Sequence, residues 1–180
     1  ISSFASALTA LAINLASSAY AALEITFWLL GSLTDRSMTH VALAAPAMVV
    51  GWLLMLSGAR PLSLLSLGED TAASLGVSLV ALRVRLVLGI ALAVGAAVSV
   101  SGAIGFVGLI VPHLLRPYVG FEPGRLLGVS MLGGAALVLA ADILVRLLSS
   151  GIEIRLGVVT ALVGAPFFLF LLVRLRRGTT

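Results

Sequence analysis

The sequence predicts an all-α, polytopic membrane protein, a bundle of helices that crosses the bilayer several times. Hydrophobic residues occupy 61% of the 180 positions and charged residues only 10%, and the mean hydropathy is +1.22. A water-soluble domain needs more polar surface than this to enclose its core. Several apolar runs also approach the roughly 20 residues that a membrane-spanning helix requires.

Composition excludes several classes of function. The chain has no cysteine and no lysine, so it carries no disulfide, no thiolate metal site and no P-loop lysine for nucleotide hydrolysis. His40 and His113 belong to no HExxH motif and have no pair of carboxylates beside them in the sequence, as a metal site would require. The eleven basic residues are all arginines that flank apolar runs, which indicates membrane spans and no nucleic-acid surface. We therefore expect no metal, cofactor or enzymatic activity in this chain.

Five apolar runs are long enough to be spans or the ends of spans, at 4–20, 41–56, 86–100, 126–141 and 156–173. Interval 24–40 is expected to be a turn at the membrane interface. A short charged loop is expected to contain Asp142, Arg146, Glu153 and Arg155. Gly164 and Pro166 are expected to interrupt the last run. Because the chain begins inside an apolar pattern, we expect one partial transmembrane domain, 1–180, of a longer protein.

The stretch 101–120 combines apolar residues with three closely spaced glycines and a proline. Its part 103–115 offers 13 residues, roughly 20 Å of helix at about 1.5 Å per residue, against a hydrocarbon core of about 30 Å. We therefore predict a sixth, short membrane segment whose helix is broken at membrane depth. Transporters and channels tolerate such a break where other helices or water hydrogen-bond the freed backbone groups. The residues of this broken or gating element are Gly102, Gly105, Gly108, Pro112 and His113. A hairpin that serves only packing is the alternative, and His113 is expected to hydrogen-bond within the structure.

The interval 57–85 is the longest polar stretch, and its centre is amphipathic. One face of a short surface helix, or of a pair of helices, is expected to carry Leu64, Leu65, Leu67, Ala72 and Leu75. Glu69, Asp70 and Thr71 would lie opposite. Such helices lie on lipid headgroups or dock on a soluble partner, and the acidic residues argue against an anionic-lipid anchor.

The distribution of arginine assigns the two sides of the membrane. If the segments alternate, one face holds 57–85, 116–125 and 174–177, with eight arginines and three acids, and the other holds three arginines and four acids. By the positive-inside rule the first face is cytoplasmic. The amphipathic interval and the C-terminus are therefore predicted to be inside.

Four blocks of residues, in this order and spacing, resemble the FecCD-type permeases of binding-protein-dependent ABC importers for iron siderophores, haem and cobalamin. The blocks are LSLGEDTAASLGV (65–77), SGAIGFVGLIVPHLLRPYVG (101–120), GGAALVLAADILVR (133–146) and GVVTALVGAPFF (157–168). The resemblance covers essentially the whole chain and implies a type II ABC importer permease fold. Family permeases are about twice as long, so this chain would be the C-terminal portion, with about six of the ten membrane segments.

The resemblance also implies partners and residue roles. Two permease subunits, identical or different, would form the path between them, two ATPase subunits would bring ATP and Mg²⁺, and an extracytoplasmic binding protein would deliver the substrate. A cytoplasmic coupling loop at about 60–80 would seat in the ATPase through Leu67, Gly68, Glu69, Asp70, Ala72, Leu75 and Gly76. Arg146 occupies the position of an arginine that pairs with a carboxylate of the binding protein, and Arg155 adds a candidate docking base. The outer mouth of the path would include 28–31.

Two departures from the family pattern affect these expectations. Ile154 and Arg155 follow Glu153 where the family usually continues with Leu-Pro, and Pro123 and Gly124 replace a usual His-Arg pair. The entry into the last span and the turn near Gly124 are therefore expected to differ.

The resulting prediction is the permease subunit of an iron-siderophore ABC importer in the plasma (inner) membrane of a prokaryote, in contact with lipid and without a nucleic-acid partner. Cobalamin or haem is the alternative substrate within the family. From a different class, an ion-coupled secondary transporter or a channel would share the hydropathy. Such a protein would transport its substrate without an ATPase, and substitutions in 64–76 would not change its transport.

Overall fold

Helices account for the regular structure in the computed structural model, which describes residues 2–16, 18–148 and 155–177. The α-helices of these ranges are α1 (Ser2–Asn14), α2 (Ala19–Leu29), α3 (Met38–Ser57), α4 (Ala59–Leu64), α5 (Glu69–Ser74), α6 (Leu79–Ser101), α7 (Val107–Leu115), α8 (Pro123–Leu148) and α9 (Leu156–Arg177). Two 3-10 turns, Leu65–Leu67 and Arg116–Val119, follow α4 and α7 directly. The predicted all-α class is confirmed for the part of the chain that is described.

Three of these helices, α3, α6 and α8, are long and apolar enough to cross a membrane. Shorter apolar helices accompany them at Ser3–Asn14, Val107–Val119 and Leu156–Leu171. Many large apolar side chains on the long helices are exposed, for example Leu43 at 75% and Leu132 at 76%, and such surface requires lipid or another protein chain as its neighbour. The membrane-bundle prediction is confirmed for the residues that the structure describes, and the helix α7 is short, as the sequence predicts.

The most extensive helix pair is α3 and α6, which pack antiparallel through small residues. Gly51 of α3 lies against Gly89 and Ala93 of α6, and a Cβ placed on Gly51 would be 2.6 Å from the carbonyl oxygen of Gly89. Further along α3, Gly58 faces Leu82 near the start of α6. In lipid there is little hydrophobic drive between helices, so the close approach that small residues allow supplies the attraction.

The helices α7 and α8 form a second antiparallel pair. Gly133 of α8 lies against Leu115 and Val111 of α7, and Gly134 lies against Val107 at the start of α7. The absence of a side chain at Gly133 allows this close approach of α7 to α8. The short helix α7 is thereby supported along its whole length by α8.

The helices α7 and α9 run in the same direction. Phe106, just before α7, lies against Gly164 of α9, and the His113 ring packs edge-on against the Phe167 ring with centroids 6.0 Å apart. Successive helices from α3 to α9, apart from the short α4 and α5, therefore alternate in direction. This is the alternation on which the assignment of sides depends.

The first apolar run, predicted as one segment over 4–20, divides into two helices. The helix α1 ends at Asn14 and α2 begins at Ala19. Ser18 Oγ accepts a hydrogen bond from the N–H of Ala21 at 3.2 Å, which satisfies a backbone donor that the start of a helix leaves unpaired. Because α2 extends to Leu29, much of the turn expected at 24–40 is helical.

Two helices extend further than their hydrophobic runs. The helix α6 begins at Leu79 and not at Leu86, because Ser78 Oγ accepts the N–H of Ala81 at 3.4 Å and caps an earlier start. The helix α8 continues to Leu148, so the prediction that Asp142 and Arg146 belong to a loop is wrong. Arg155 lies just before α9, and Glu153 lies outside the described residues.

Two prolines that were expected to break helices lie inside them. Pro112 is within α7 and Pro166 is within α9, and Gly164 does not interrupt α9 either. A proline removes one backbone hydrogen bond and crowds the preceding turn, and packing of α7 and α9 on their neighbours offsets that loss. The interruption lies instead at 102–106, where Gly102 and Phe106 have φ values of +70° and +66°.

Candidate functional site

The connections between helices gather at two ends of the bundle. At the Ser63 end, comprising α4, α5 and residues 116–124, the N–H of Gly124 donates to Ser63 Oγ at 3.2 Å. At the Gly31 end, comprising 30–37, 101–106 and the start of α9, the N–H of Ser32 donates to the carbonyl of Ser101 at 2.8 Å. The intervals 57–85 and 116–125 therefore share one end, as the arginine pattern requires.

Residues 67–76, called here the α5 surface, project from the Ser63 end. Leu67 and Leu75 are 61% and 58% exposed. Gly68 and Gly76 bound the helix α5 with φ values of +103° and +88°, a backbone region that residues with a Cβ rarely adopt. The predicted pair of short surface helices is present, and each of the two glycine turns directly follows an exposed leucine.

Ala72 does not share a face with these leucines, because it is completely buried. The turn at Gly68 separates the 3-10 turn from α5, so a single helical period does not run from Leu67 to Leu75. The prediction of one common apolar face for this set is therefore wrong. Ala72 anchors α5 to the bundle, and the two leucines are left for another surface.

The start of α5 is acidic. Glu69 and Asp70 occupy its first turn and are exposed. Arg83 Nη2 lies 3.7 Å from Glu69 Oε1, with the two side chains 76% and 66% exposed, and such a surface pair contributes about 0–1 kcal/mol. The pair therefore adds little to the stability of the α5 surface.

The residues predicted as a broken or gating element occupy three different environments. Gly102 lies at the end of α6 against the carbonyl oxygen of Trp28, where a Cβ would collide. Gly105 and Gly108 face open space, because a Cβ added at either residue would meet no atom within 4 Å. Pro112 and His113 lie on α7, as described above. The predicted short helix is present with nine residues, but these five residues do not gather into one site.

The Gly31 end contains a glycine junction that the sequence pattern did not indicate. The N–H of Gly157 donates to the carbonyl of Gly31 at 3.3 Å, and Gly157 also lies against the carbonyl oxygens of Leu30 and Ala103. Together with Gly102, these glycines join the ends of α2 and α6 to the start of α9. A glycine in the first turn of a helix, where propensity disfavours it, was the available signal for Gly157.

A crevice of about 530 Å³ opens beside this junction. Its walls come from α2, the 102–106 connection and α9, and they include Leu29, Leu30, Ala103, Val158, Ala161 and Leu162. The walls are apolar and carry no charged side chain from the described part of this chain. The crevice can therefore admit a bulky apolar surface, but it does not select by charge.

Asp142 and Arg146 form an ion pair within α8. Arg146 Nε lies 2.7 Å from Asp142 Oδ2, with side-chain exposures of 60% and 13%. The structure thus places Arg146 at the end of α8 that leads to the Gly31 end, with Asp142 holding it one turn away. Arg155 is half-buried at the start of α9. Within 2–16, 18–148 and 155–177, no three acidic or histidine side chains gather as metal ligands.

The sequence from residue 1 to residue 174 matches the FecCD transport family. This chain belongs to that family. The resemblance of the four sequence blocks is therefore confirmed, and the all-α bundle described above is the fold of a family member.

Three relatives illustrate the range of the FecCD family. The chain is 43% identical over 149 residues to the Fe(3+) dicitrate transport system permease protein FecD of Escherichia coli (strain K12), covering 83% of this chain and 47% of the relative. It is 46% identical over 152 residues to the vitamin B12 import system permease protein BtuC of Vibrio cholerae, covering 84% and 45%. It is 42% identical over 153 residues to the hemin transport system permease protein HmuU of Yersinia pestis, covering 85% and 46%.

A solved structure supports the same fold. The chain matches "An inward-facing conformation of a putative metal-chelate type ABC transporter" with a TM-score of 0.82 and 36% identity, covering 94% of this chain and 55% of the other. The chain thus spans about half the length of the curated relatives and of the solved chain that it matches.

Proposed function

We propose that this chain forms the C-terminal portion of the membrane permease of an ABC importer, and that the importer moves an iron-siderophore complex. The observation that carries the proposal is the agreement in fold and sequence with the metal-chelate type transporter, at a TM-score of 0.82 and 36% identity over 94% of the chain. Agreement of both kinds over almost the whole chain supports a shared mode of action as well as a shared architecture.

In this proposal the chain moves substrate but does not hydrolyse ATP. Without lysine it has no P-loop, so ATP and Mg²⁺ belong to two separate ATPase subunits. The Ser63 end and the C-terminus are cytoplasmic, since the arginine-rich intervals lie there. The protein is a multi-pass protein of the plasma (inner) membrane of a prokaryote, in keeping with the bacterial relatives described above.

The α5 surface is the proposed ATPase contact. Its exposed leucines, Leu67 and Leu75, and its acidic first turn suit a groove with an apolar floor and a basic rim. Gly68, Asp70 and Gly76 shape the turns and charge of this contact, and Ala72 holds it on the bundle. ATP-driven closure of the ATPase pair would shift the permease between two packings, which is a change in populations.

The Gly31 end is the proposed outer face. Arg146 and Arg155 supply positive charge for carboxylates of an extracytoplasmic binding protein. The apolar crevice beside the glycine junction would border the mouth of the path, which a second permease subunit completes. Gly102 and the irregular residues 102–106 would allow α7 to shift against α6 between the two packings.

Two alternatives concern the cargo and the class of transporter. Cobalamin or haem is the alternative cargo, because relatives of similar identity are named for vitamin B12 and hemin, and uptake of radiolabelled ferric siderophore against labelled cobalamin and haem decides among them. An ion-coupled transporter or channel is the alternative from another class, and membership of the FecCD family counts against it.

Charge reversal on the α5 surface tests the proposal. The double variant Glu69→Lys with Asp70→Lys should lose most ATPase subunit on co-purification of the intact transporter, and uptake should fall at least about tenfold, since like charges across an interface cost several kcal/mol. Glu24→Lys with Asp35→Lys reverses two exposed acids away from this surface and should leave ATPase association unchanged. Unchanged ATPase association in the first variant would refute the proposed contact, and substrate movement by the permease without any ATPase would refute the proposed class.

A further inference from the structure

Ser63 of α4 lies against the first turn of α8 and makes hydrogen bonds to it from both sides of its hydroxyl. Ser63 Oγ accepts the N–H of Gly124 at 3.2 Å, and its single O–H donates to either of two acceptors at 3.3 Å, Glu122 Oε1 or the carbonyl oxygen of Ala59. The Gly124 N–H is one of the donors that the first turn of a helix leaves unpaired. Ser63 therefore caps α8 from a different helix, 61 residues away in sequence.

This contact requires a glycine at position 124. A Cβ placed there would lie 2.5 Å from Ser63 Oγ and 2.6 Å from the carbonyl oxygen of Ala59. The second neighbour is backbone, so it cannot move unless α4 as a whole moves away from α8. At Gly128, one turn further along α8, nothing lies within 4 Å of such a Cβ. The close approach is thus confined to the first turn of α8.

Glu122 has a second fixed contact. Its Oε2 lies 2.6 Å from Arg125 Nε, while its Oε1 faces Ser63. The carboxylate is half-buried, with its side chain 41% exposed. Pro123 at the first position of α8 suits the start of a helix, since it has no N–H to satisfy there. Ser63, Glu122 and Gly124 are called here the α4–α8 joint.

The helix α8 extends from this joint to the Asp142–Arg146 pair. It has 26 residues without interruption, about 39 Å at about 1.5 Å per residue. A continuous helix moves more nearly as one body than the loops on either side of it. The joint therefore connects the helices beside the α5 surface to the far end of the bundle through one element.

We propose that the α4–α8 joint transmits motion of the α5 surface to the Gly31 end, with Ser63, Glu122 and Gly124 as positioning residues. The proposal rests on the function proposed above, because that function supplies the driving partner at the α5 surface. When a nucleotide-bound ATPase displaces α4 and α5, the cap carries the first turn of α8 with them. The far end of α8 then shifts relative to α3, whose contact with α4 is through the short bend at Gly58.

Spin labels on the intact transporter test the joint without a transport substrate. This chain has no cysteine, so Leu43→Cys on α3 and Leu147→Cys on α8, which are 75% and 76% exposed, place two labels on it, in a transporter whose other cysteines are replaced and whose second permease subunit, where identical, is left unlabelled. Double electron-electron resonance measures their distance in lipid nanodiscs containing the ATPase subunits, with and without Mg²⁺ and ATP. With the native joint, we expect Mg²⁺ and ATP to change the distance between the two labels. Ser63→Ala and Gly124→Ala should each reduce that change by half or more.

Control variants separate transmission from folding. Gly128→Ala should keep the full shift, and Ser63→Thr, which retains the hydroxyl, should keep more of it than Ser63→Ala. A full shift in both Ser63→Ala and Gly124→Ala would overturn the proposal. Loss of the ATPase subunits from Ser63→Ala would also overturn it, because Ser63 would then belong to the docking contact. If the transporter with a native joint purified without any ATPase subunit, the proposed function would be refuted, and the role of the joint would be refuted with it.

Discussion

Arg146 Nε lies 2.7 Å from Asp142 Oδ2, one turn earlier on α8. The carboxylate is nearly buried and the guanidinium is largely exposed, with side-chain exposures of 13% and 60%. Because a guanidinium has five N–H donors in a planar fork, one contact with Asp142 orients the group and leaves other donors directed outward. The pair thus holds a cation in a defined position at the end of α8.

The first prediction concerns this cation. Arg146→Glu should weaken binding of the extracytoplasmic binding protein at least about tenfold, because it places like charges together across the interface and beside Asp142. Titration of the binding protein onto the transporter in nanodiscs, at low and high salt, measures the effect. Arg36→Glu, at another exposed arginine of the Gly31 end, is the matched control. An equal loss of affinity in both variants would show a general electrostatic attraction between the two proteins. Arg146 would then have no specific docking role.

The second prediction concerns the sides of the membrane. Leu67→Cys and Tyr118→Cys, 61% and 85% exposed at the Ser63 end, should react with a membrane-impermeant maleimide only after the cytoplasmic face is opened. Met38→Cys, 78% exposed at the Gly31 end, should react in intact cells. The reasons are the positive-inside rule and the alternating direction of the helices. The reverse labelling pattern would invert the orientation and exclude an ATPase contact at the α5 surface.

The third prediction concerns the packing of α3 on α6. Gly51→Ala should destabilise the protein by about 1–3 kcal/mol, the usual effect of overpacking, because the new methyl group meets the Gly89 carbonyl oxygen and the backbone nitrogen of Ala93. The midpoint of thermal unfolding in detergent should fall by several degrees. Gly95→Ala, on α6 with nothing within 4 Å, should leave the midpoint nearly unchanged. Similar midpoints for the two variants would contradict the observed register of this pair.

The fourth prediction concerns Phe106, which lies against Gly164 of α9. Gly164→Ala should lower the thermal midpoint, since the methyl group meets the Cβ and ring of Phe106. In the background of Phe106→Ala the same change should have a smaller effect, because the ring that it meets is gone. Gly108→Ala, in the first turn of α7 with open space beside it, is the control. Strict additivity of the two changes would show that Phe106 and Gly164 do not interact.

The features that could be predicted from the sequence are those that depend on sums over many residues. Hydropathy identified the membrane class, arginine counts separated two groups of loops, and the length of 103–115 indicated a helix too short to span. Each quantity adds local contributions, so an error at one residue changes it little. The four sequence blocks also identified the FecCD family, which the match over residues 1–174 confirms.

Helix ends and faces were predicted less well. The cap at Ser78 starts α6 seven residues before its apolar run, and the turn at Gly68 places buried Ala72 opposite exposed Leu67. Pro112 and Pro166 remain inside helices because neighbouring helices support them. In each case one local contact outweighed the average pattern on which the prediction was based.

By itself the sequence determined that this chain lies in a membrane, that its loops divide into an arginine-rich and an arginine-poor group, and that it is a FecCD family member. Only the tertiary structure decided which glycines carry close contacts: Gly31, Gly51, Gly124 and Gly157 do, whereas Gly105 and Gly108 face open space. It alone brought Ser63 to the start of α8. The physical reason is that apolarity acts residue by residue, whereas a contact between distant residues depends on the rotation and register of whole helices, which no short window of sequence contains.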